Sequence, residues 1–188
     1  MALKHVTIYT DGACLGNPGR GGYGVVLLYE GHRKELTGGF RLTTNNRMEI
    51  LASIVALEAL KEKCQITLHS DSQYLVNAVQ QGWAVRWRAN NWRRNKRDMA
   101  QNPDLWERLL ACTERHNVEF RWLRGHAGNP ENERCDQLAV AAAEGENLAV
   151  DIGYEKASHL SMPAGQNPDN PDSITRRAYT SKATKKSL

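Results

Sequence analysis

The stretch Val6-Thr7-Ile8-Tyr9-Thr10-Asp11-Gly12-Ala13 (VTIYTDGA) decides the predicted fold. Its apolar and polar residues alternate as in a half-buried strand, and the strand is predicted to end at Asp11, where the chain becomes rich in glycine. A carboxylate at a strand end is held firmly, so it can combine with acids from other elements to bind a divalent cation. The alternative interpretation is that Asp11 only starts a turn.

Three further acids are candidate partners of Asp11. Glu49 lies at the start of a helical pattern, Asp71 follows the predicted strand 65–70, and Asp136 lies in the last strongly helical segment. A helix between two strands predicts a crossover, which makes the strands parallel and brings Asp11 and Asp71 to one sheet edge. The alternatives are that Glu49 stabilises a helix N-terminus, that Asp71 caps a helix, and that Asp136 is an exposed helix acid.

The remaining pattern predicts an α/β fold. Segments 23–29 and 34–42 are predicted strands that continue from the first strand as an antiparallel meander, with Gly31 in the turn. Segments 65–70 and 118–123 are further predicted strands. Helices are predicted to begin near Thr44 or Asn45, after Asp71 and at Pro103.

Composition limits the possible classes of protein. The chain has 188 residues, of which 24% are charged and 40% hydrophobic, and it has no apolar run long enough to cross a membrane. The four cysteines stand singly, which argues against a zinc cage or a disulfide framework. We therefore expect a soluble, cytoplasmic protein without a signal peptide. Its net charge of +4 is compatible with a polyanionic partner.

The segment 82–97 interleaves aromatic and basic residues. Trp83, Trp87 and Trp92 alternate with arginines that include Arg88, Arg93 and Arg94. Guanidinium groups pair with phosphates and indole rings offer flat apolar faces, so this composition favours binding to a nucleic-acid backbone. The alternative is a solvated helix whose tryptophans, Trp83 or Trp87 above all, anchor in the core.

Two features lie towards the C-terminus. Glycines flank His126 in the loop 124–130, which suggests a mobile histidine, although a lone loop histidine can also be incidental. The helical pattern fails after Gly145, so we expect a domain over residues 1–146 and a flexible or disordered extension over residues 147–188. Basic residues near the end of this extension could add non-specific attraction to polyanions.

Four segments together resemble bacterial type 1 ribonuclease H over about residues 4–144. They are Asp11–Gly19 (DGACLGNPG), Thr44–Glu49 (TNNRME), His69–Tyr74 (HSDSQY) and Gly125–Asp136 (GHAGNPENERCD). The resemblance implies the RNase H-like fold, a five-stranded mixed sheet with three antiparallel strands followed by parallel strands and with flanking helices. In the basic segment, Asn91 stands where a glycine is common in relatives.

The resemblance also implies roles for individual residues. Asp11, Glu49, Asp71 and Asp136 would be the metal-binding catalytic carboxylates, and His126 would assist catalysis or product release. The expected substrate-binding residues are Cys14, Asn17, Thr44, Asn45, Asn46, Gln73, Trp83, Trp87, Arg88, Trp92, Arg93 and Arg94.

The implied activity is endonucleolytic hydrolysis of the RNA strand of RNA:DNA hybrids, with 5′-phosphate and 3′-hydroxyl products. Two Mg²⁺ ions would act with the substrate bound, with Mn²⁺ as a possible substitute, and the protein would be a monomer. A module that binds hybrids without cutting them is disfavoured, because all four acids and His126 are present. A DNA-directed nuclease of the wider superfamily is disfavoured by the basic, tryptophan-rich segment.

Overall fold

The computed structural model describes residues 3–161 of the chain. The strands are β1 His5–Leu15, β2 Gly19–Tyr29, β3 His32–Thr43, β4 Gln65–Ser70 and β5 Asn117–Trp122. The helices are α1 Asn45–Glu58, α2 Gln73–Gln80, α3 Trp83–Ala89, α4 Pro103–Arg115, α5 Pro130–Glu144 and α6 Ile152–Ser161. Within residues 3–161, no helix is both long enough and apolar enough to span a bilayer.

The strands form one mixed sheet in the order β3-β2-β1-β4-β5. β1 pairs antiparallel with β2 and parallel with β4, and β4 pairs parallel with β5. These findings confirm the predicted fold class and the predicted crossover. The central strand is longer than expected, because residues 11–15 continue the antiparallel ladder with residues 20–24 after the parallel ladder with β4 has ended at Thr10.

Helices cover both faces of this sheet. On one face, fully buried side chains such as Ile8, Ile54, Leu68 and Trp106 form the core between the sheet and helices α1, α2 and α4. On the other face, α5 packs closely on β2 and β3, because a Cβ at Gly22, Gly24 or Gly39 would collide with the α5 backbone. Small alanines on α5 permit the same close approach.

The segment after α5 makes contacts with the preceding part of the chain at Ala149 and Asp151. Ala149 pairs with Phe40 at the edge of β3, and its backbone exchanges 2.9 Å hydrogen bonds with Gly39 and Arg41. Asp151 is buried against Arg47. These contacts are a β-bridge at the sheet edge and an ion pair. Neither requires a periodic pattern of apolar residues, so the sequence pattern does not predict them. Residues 162–188, with the predicted flexible end, lie outside the described residues.

Candidate active site

Asp11 and Asp71 follow the last paired residues of the parallel ladder between β1 and β4. That last pair is Thr10 with Ser70, and each of the two is followed by its acid. Asp71 does not cap α2, because the hydroxyl of Ser72 accepts the hydrogen bond from the Leu75 amide at 3.3 Å. The topology thus places the two carboxylates side by side, as the crossover predicted.

Glu49 reaches the same place from α1, which begins after its N-cap residue Thr44. A side chain at Gly12 would collide with the backbone of Met48 and Glu49, so the absence of one lets the helix lie directly on β1. The Gly12 amide also donates a 2.7 Å hydrogen bond to Oδ1 of Asp11. This one glycine therefore brings Glu49 close to Asp11 and orients the Asp11 carboxylate.

Asp11, Glu49 and Asp71 form an acidic cluster in which one carboxylate oxygen from each residue lies within 4.8 Å of the other two. Burial, followed by the charges of Asp71 and Asp136, raises the pKa of Asp11 to about 8. Burial and the charges of Asp11 and Asp71 also raise the pKa of Glu49. Oε2 of Glu49 is buried without a hydrogen-bond partner in the described chain. Crowded, desolvated carboxylates with an unsatisfied oxygen fit a hard divalent cation, which would neutralise them.

Asp136, the fourth predicted acid, lies on α5, half-buried at the margin of this cluster. Its charge is close enough to raise the pKa of Asp11. Among the described residues, however, only the other three acids meet the 4.8 Å criterion. The structure therefore places Asp136, which lies on α5, beside the acidic cluster but not within it.

His126 is exposed in the loop between β5 and α5. Its φ of 51° lies in the left-handed region, which residues other than glycine seldom adopt. The preceding residue, Gly125, lies so close to the carboxylate of Asp71 that a side chain at position 125 would overlap it. The residue before His126 in this loop therefore lies beside Asp71.

A groove of about 950 Å³ lies beside α3. Its lining includes Trp83, Arg86, Arg93 and Arg94, together with Asn46 from the first turn of α1. Asn46 lies three residues before Glu49, so helix α1 contributes one residue to the groove and one to the acidic cluster. The groove combines aromatic and guanidinium groups.

The structure changes the reading of two residues in the basic segment. Arg88 does not line the groove; it pairs with Glu114 at 2.8 Å and Glu107 at 3.6 Å on the side facing α4. Trp87 is only 8% exposed and packs edge-on against Trp106 in the core, and it also contributes to the lining of the groove.

Arg86 lines the groove but was not among the predicted substrate-binding residues. Helical spacing could have indicated it, since Arg86 lies three residues after Trp83, on one face, whereas Arg88 lies five residues after it. Trp92, half-buried, follows Asn91, and both have φ in the left-handed region, at 61° and 50°. Asparagine tolerates that conformation better than most residues, which suits it to position 91.

The remaining predicted contacts surround the start of α1. Oδ1 of Asn17 accepts a 3.1 Å hydrogen bond from the Asn45 amide, which ties the β1–β2 loop to the helix. Cys14 is half-exposed nearby, and its thiol donates to the Thr43 carbonyl at 3.5 Å. The hydroxyl of Thr44 accepts a 3.4 Å hydrogen bond from the Arg47 amide. Gln73 is exposed at the start of α2.

Comparisons with known proteins agree with this architecture. The sequence profile of the family described as RNase H matches residues 3–144. The chain is 69% identical over 150 residues to a ribonuclease H from Desulforamulus reducens, an alignment that covers 80% of this chain and 94% of that relative.

Two solved structures are similar. LC9-RNase H1, a type 1 RNase H with the type 2 active-site motif, gives a TM-score of 0.70 at 33% identity, with 84% of this chain and 82% of that one covered. LC11-RNase H1, solved in complex with an RNA/DNA hybrid, gives 0.58 at 25% identity, with 74% and 96% covered. The chain therefore belongs to the RNase H family, as a ribonuclease H enzyme of the bacterial type 1 group.

Proposed function

We propose that this enzyme hydrolyses the RNA strand of RNA:DNA hybrids endonucleolytically, using Mg²⁺ and leaving 5′-phosphate and 3′-hydroxyl ends. The observation that carries the proposal is the acidic cluster, largely buried and with Glu49 Oε2 unsatisfied, in a protein that also has an aromatic and basic groove. LC11-RNase H1, a structural neighbour, was solved with an RNA/DNA hybrid.

Asp11, Glu49 and Asp71 would hold the metal, with Asp136 contributing from α5. Mg²⁺ suits this site, because it prefers carboxylate oxygens and keeps positions open for water and phosphate; Mn²⁺ would be the natural substitute. When bound, the metal supplies an activated water and stabilises charge on the phosphate oxygens.

The protein's own residues bind and align the hybrid. Arg86, Arg93 and Arg94 offer their guanidinium groups to phosphates, and the half-buried Trp83 offers an apolar face to the backbone sugars. Cys14, Asn17, Asn45 and Gln73 would contact the RNA strand, and Thr44 and Asn17 would hold a DNA phosphate. Discrimination of RNA from DNA would come from 2′-hydroxyl contacts rather than base reading.

His126 is suited to proton transfer in this scheme. It is exposed in a glycine-flanked loop that passes Asp71, so its imidazole can approach the scissile phosphate without being part of the acidic cluster. We assign it the delivery of a proton to the departing 3′ oxygen or assistance in releasing the product.

The test compares cleavage of an RNA:DNA hybrid, double-stranded RNA and double-stranded DNA, each with Mg²⁺ or with a chelator. We expect cleavage of the hybrid alone, only with Mg²⁺, and 5′-phosphate ends on the RNA fragments. Asp11→Asn should abolish most cleavage while keeping hybrid affinity, because phosphate contacts lie along the groove. Binding without cleavage by the unaltered protein would instead identify a non-cutting hybrid-binding module.

A further inference from the structure

The loop after β5 is attached to the end of β4 on both sides of Asp71. Nε1 of Trp122 donates a 2.9 Å hydrogen bond to the backbone carbonyl of Asp71. The Leu123 amide donates to the Ser70 carbonyl at 3.1 Å. The start of the loop that carries His126 is therefore fixed relative to the backbone of Asp71.

Gly125 then passes directly over the Asp71 side chain. A Cβ at position 125 would lie less than 3.0 Å from Oδ2 of Asp71 and 3.3 Å from its Cγ. The φ of Gly125 lies outside the left-handed region, so backbone conformation does not demand glycine there. A side chain at this position would meet the end of the Asp71 carboxylate, which would have to shift to admit it.

The Asp71 carboxylate differs from that of Asp11 in how it is held. Asp11 accepts a hydrogen bond from the Gly12 amide, whereas over residues 3–161 the structure gives the Asp71 carboxylate no hydrogen bond. An aspartate side chain without such a bond can choose among several rotamers. Contact with the backbone at Gly125 is therefore the restraint that limits where this carboxylate can point.

We infer that Gly125 and Trp122 are positioning residues for Asp71: together they hold its carboxylate toward Asp11 and Glu49 and couple the His126 loop to the metal site. The inference deepens the proposed function and rests on its assignment of Asp71 as a metal ligand. It also implies that the His126 loop and the acidic cluster are coupled where Gly125 meets Asp71. A displacement of either one would then move the other.

The matched test uses two glycines of the same loop. Gly125→Ala introduces a methyl group against Asp71 without left-handed backbone strain. Gly128→Ala strains the backbone, because its φ is 82°, but the added methyl group meets nothing within 4 Å. The first variant thus changes the contact with Asp71, and the second changes only the loop.

The primary readout is Mg²⁺ binding to the hybrid-free protein by isothermal titration calorimetry, with kcat and KM measured separately. We expect Gly125→Ala to weaken Mg²⁺ binding by about 10-fold, the effect typical of disturbing a ligand's supporting shell, and to lower kcat with little change in KM. Gly128→Ala should keep the Mg²⁺ affinity of the unaltered protein. Trp122→Phe, which loses the N–H donor but keeps a ring, should weaken Mg²⁺ binding in the same direction as Gly125→Ala.

A folded Gly125→Ala protein with unchanged Mg²⁺ affinity would overturn the inference. If that variant does not fold, unchanged affinity in Trp122→Phe would overturn it instead. Equal losses of Mg²⁺ affinity in Gly125→Ala and Gly128→Ala would also overturn it, because loop strain would then suffice. Failure of the unaltered protein to cleave hybrids would refute the proposed function, whereas the Mg²⁺ affinities would still decide the roles of Gly125 and Trp122.

Discussion

Arg47 and Asp151 form a buried bidentate ion pair that joins the first turn of α1 to the segment after α5. Nε of Arg47 donates to Oδ2 of Asp151 and Nη2 donates to Oδ1, both at 2.7 Å. Thr43 donates a further 2.6 Å hydrogen bond to Asp151 Oδ2. Arg47 also pairs with Asp104 at 2.7 Å, at the start of α4. Because Glu49 is two residues beyond Arg47, this network helps to fix the helix turn that carries Glu49, a proposed metal ligand.

The effect of truncation on stability should therefore depend on whether the shortened chain keeps Asp151. A protein ending at residue 146 would leave the 3%-exposed Arg47 with Asp104 and Asn102 as its remaining side-chain partners, and we expect a loss of about 3 kcal/mol in unfolding free energy. A protein ending at Glu155 keeps Asp151 and should retain its stability and turnover. Urea unfolding of the two truncated proteins and the full chain measures the difference. Equal stability of all three would show that the pair contributes nothing.

Asp11→Asn should stabilise the metal-free protein at neutral pH. The folded-state pKa of Asp11 is raised from 3.8 to about 8, so folding must retain a proton that the unfolded chain releases above pH 3.8. Stability of the unaltered protein therefore falls as pH rises between these values, by at most about 4 kcal/mol at pH 7 from this group. Asparagine removes that penalty and can still accept the Gly12 hydrogen bond.

This prediction is checked by chelator-treated unfolding at pH 4, 5.5 and 7. The advantage of Asp11→Asn should be largest at pH 7 and nearly absent at pH 4, where Asp11 is largely protonated in the folded state and about half protonated in the unfolded chain. A variant that is less stable at pH 7, or whose advantage does not change with pH, would show that charge repulsion in the acidic cluster is not the cause.

Neutralising the arginines of the groove should weaken hybrid binding through phosphate contacts. Arg86, Arg93 and Arg94 line the groove, so replacing each with glutamine should lower the slope of log affinity against log salt by about 1. Arg88→Gln is the matched control, because Arg88 is paired with Glu114 and Glu107 away from the groove. Hybrid affinity measured over a series of salt concentrations tests this prediction. If Arg88→Gln lowered the slope as much as the three groove substitutions, the assignment of phosphate contacts to the groove arginines would be contradicted.

His126→Ala should act on turnover rather than on affinity. His126 lies outside the groove and the acidic cluster, so its loss leaves the phosphate contacts and the carboxylates in place. We expect kcat to fall by about 10²-fold, the scale of general acid–base catalysis, with little change in KM. His32→Ala, an exposed histidine at the start of β3, is the control. Steady-state kinetics showing an unchanged kcat, or a change in KM alone, would remove His126 from the catalytic set.

Local patterns in the sequence were sufficient for the sheet and the acids. The alternation before Asp11, the strand followed by Asp71 and the helix entry before Glu49 each reflect short-range preferences, and the crossover rule then places the acids together. The cluster of Asp11, Glu49 and Asp71 confirms that placement. These features are predictable because backbone geometry within a few residues determines them.

Tertiary structure alone decided the features that depend on which neighbour a side chain meets. The sequence does not indicate that Arg88 pairs with Glu114 on another helix, and nothing local indicates that Asp151 returns to a buried Arg47. The close contact of Gly125 with Asp71 likewise joins residues 54 positions apart, as read from the sequence. Such pairings depend on distances between elements, which arise only when helices and strands pack into one core.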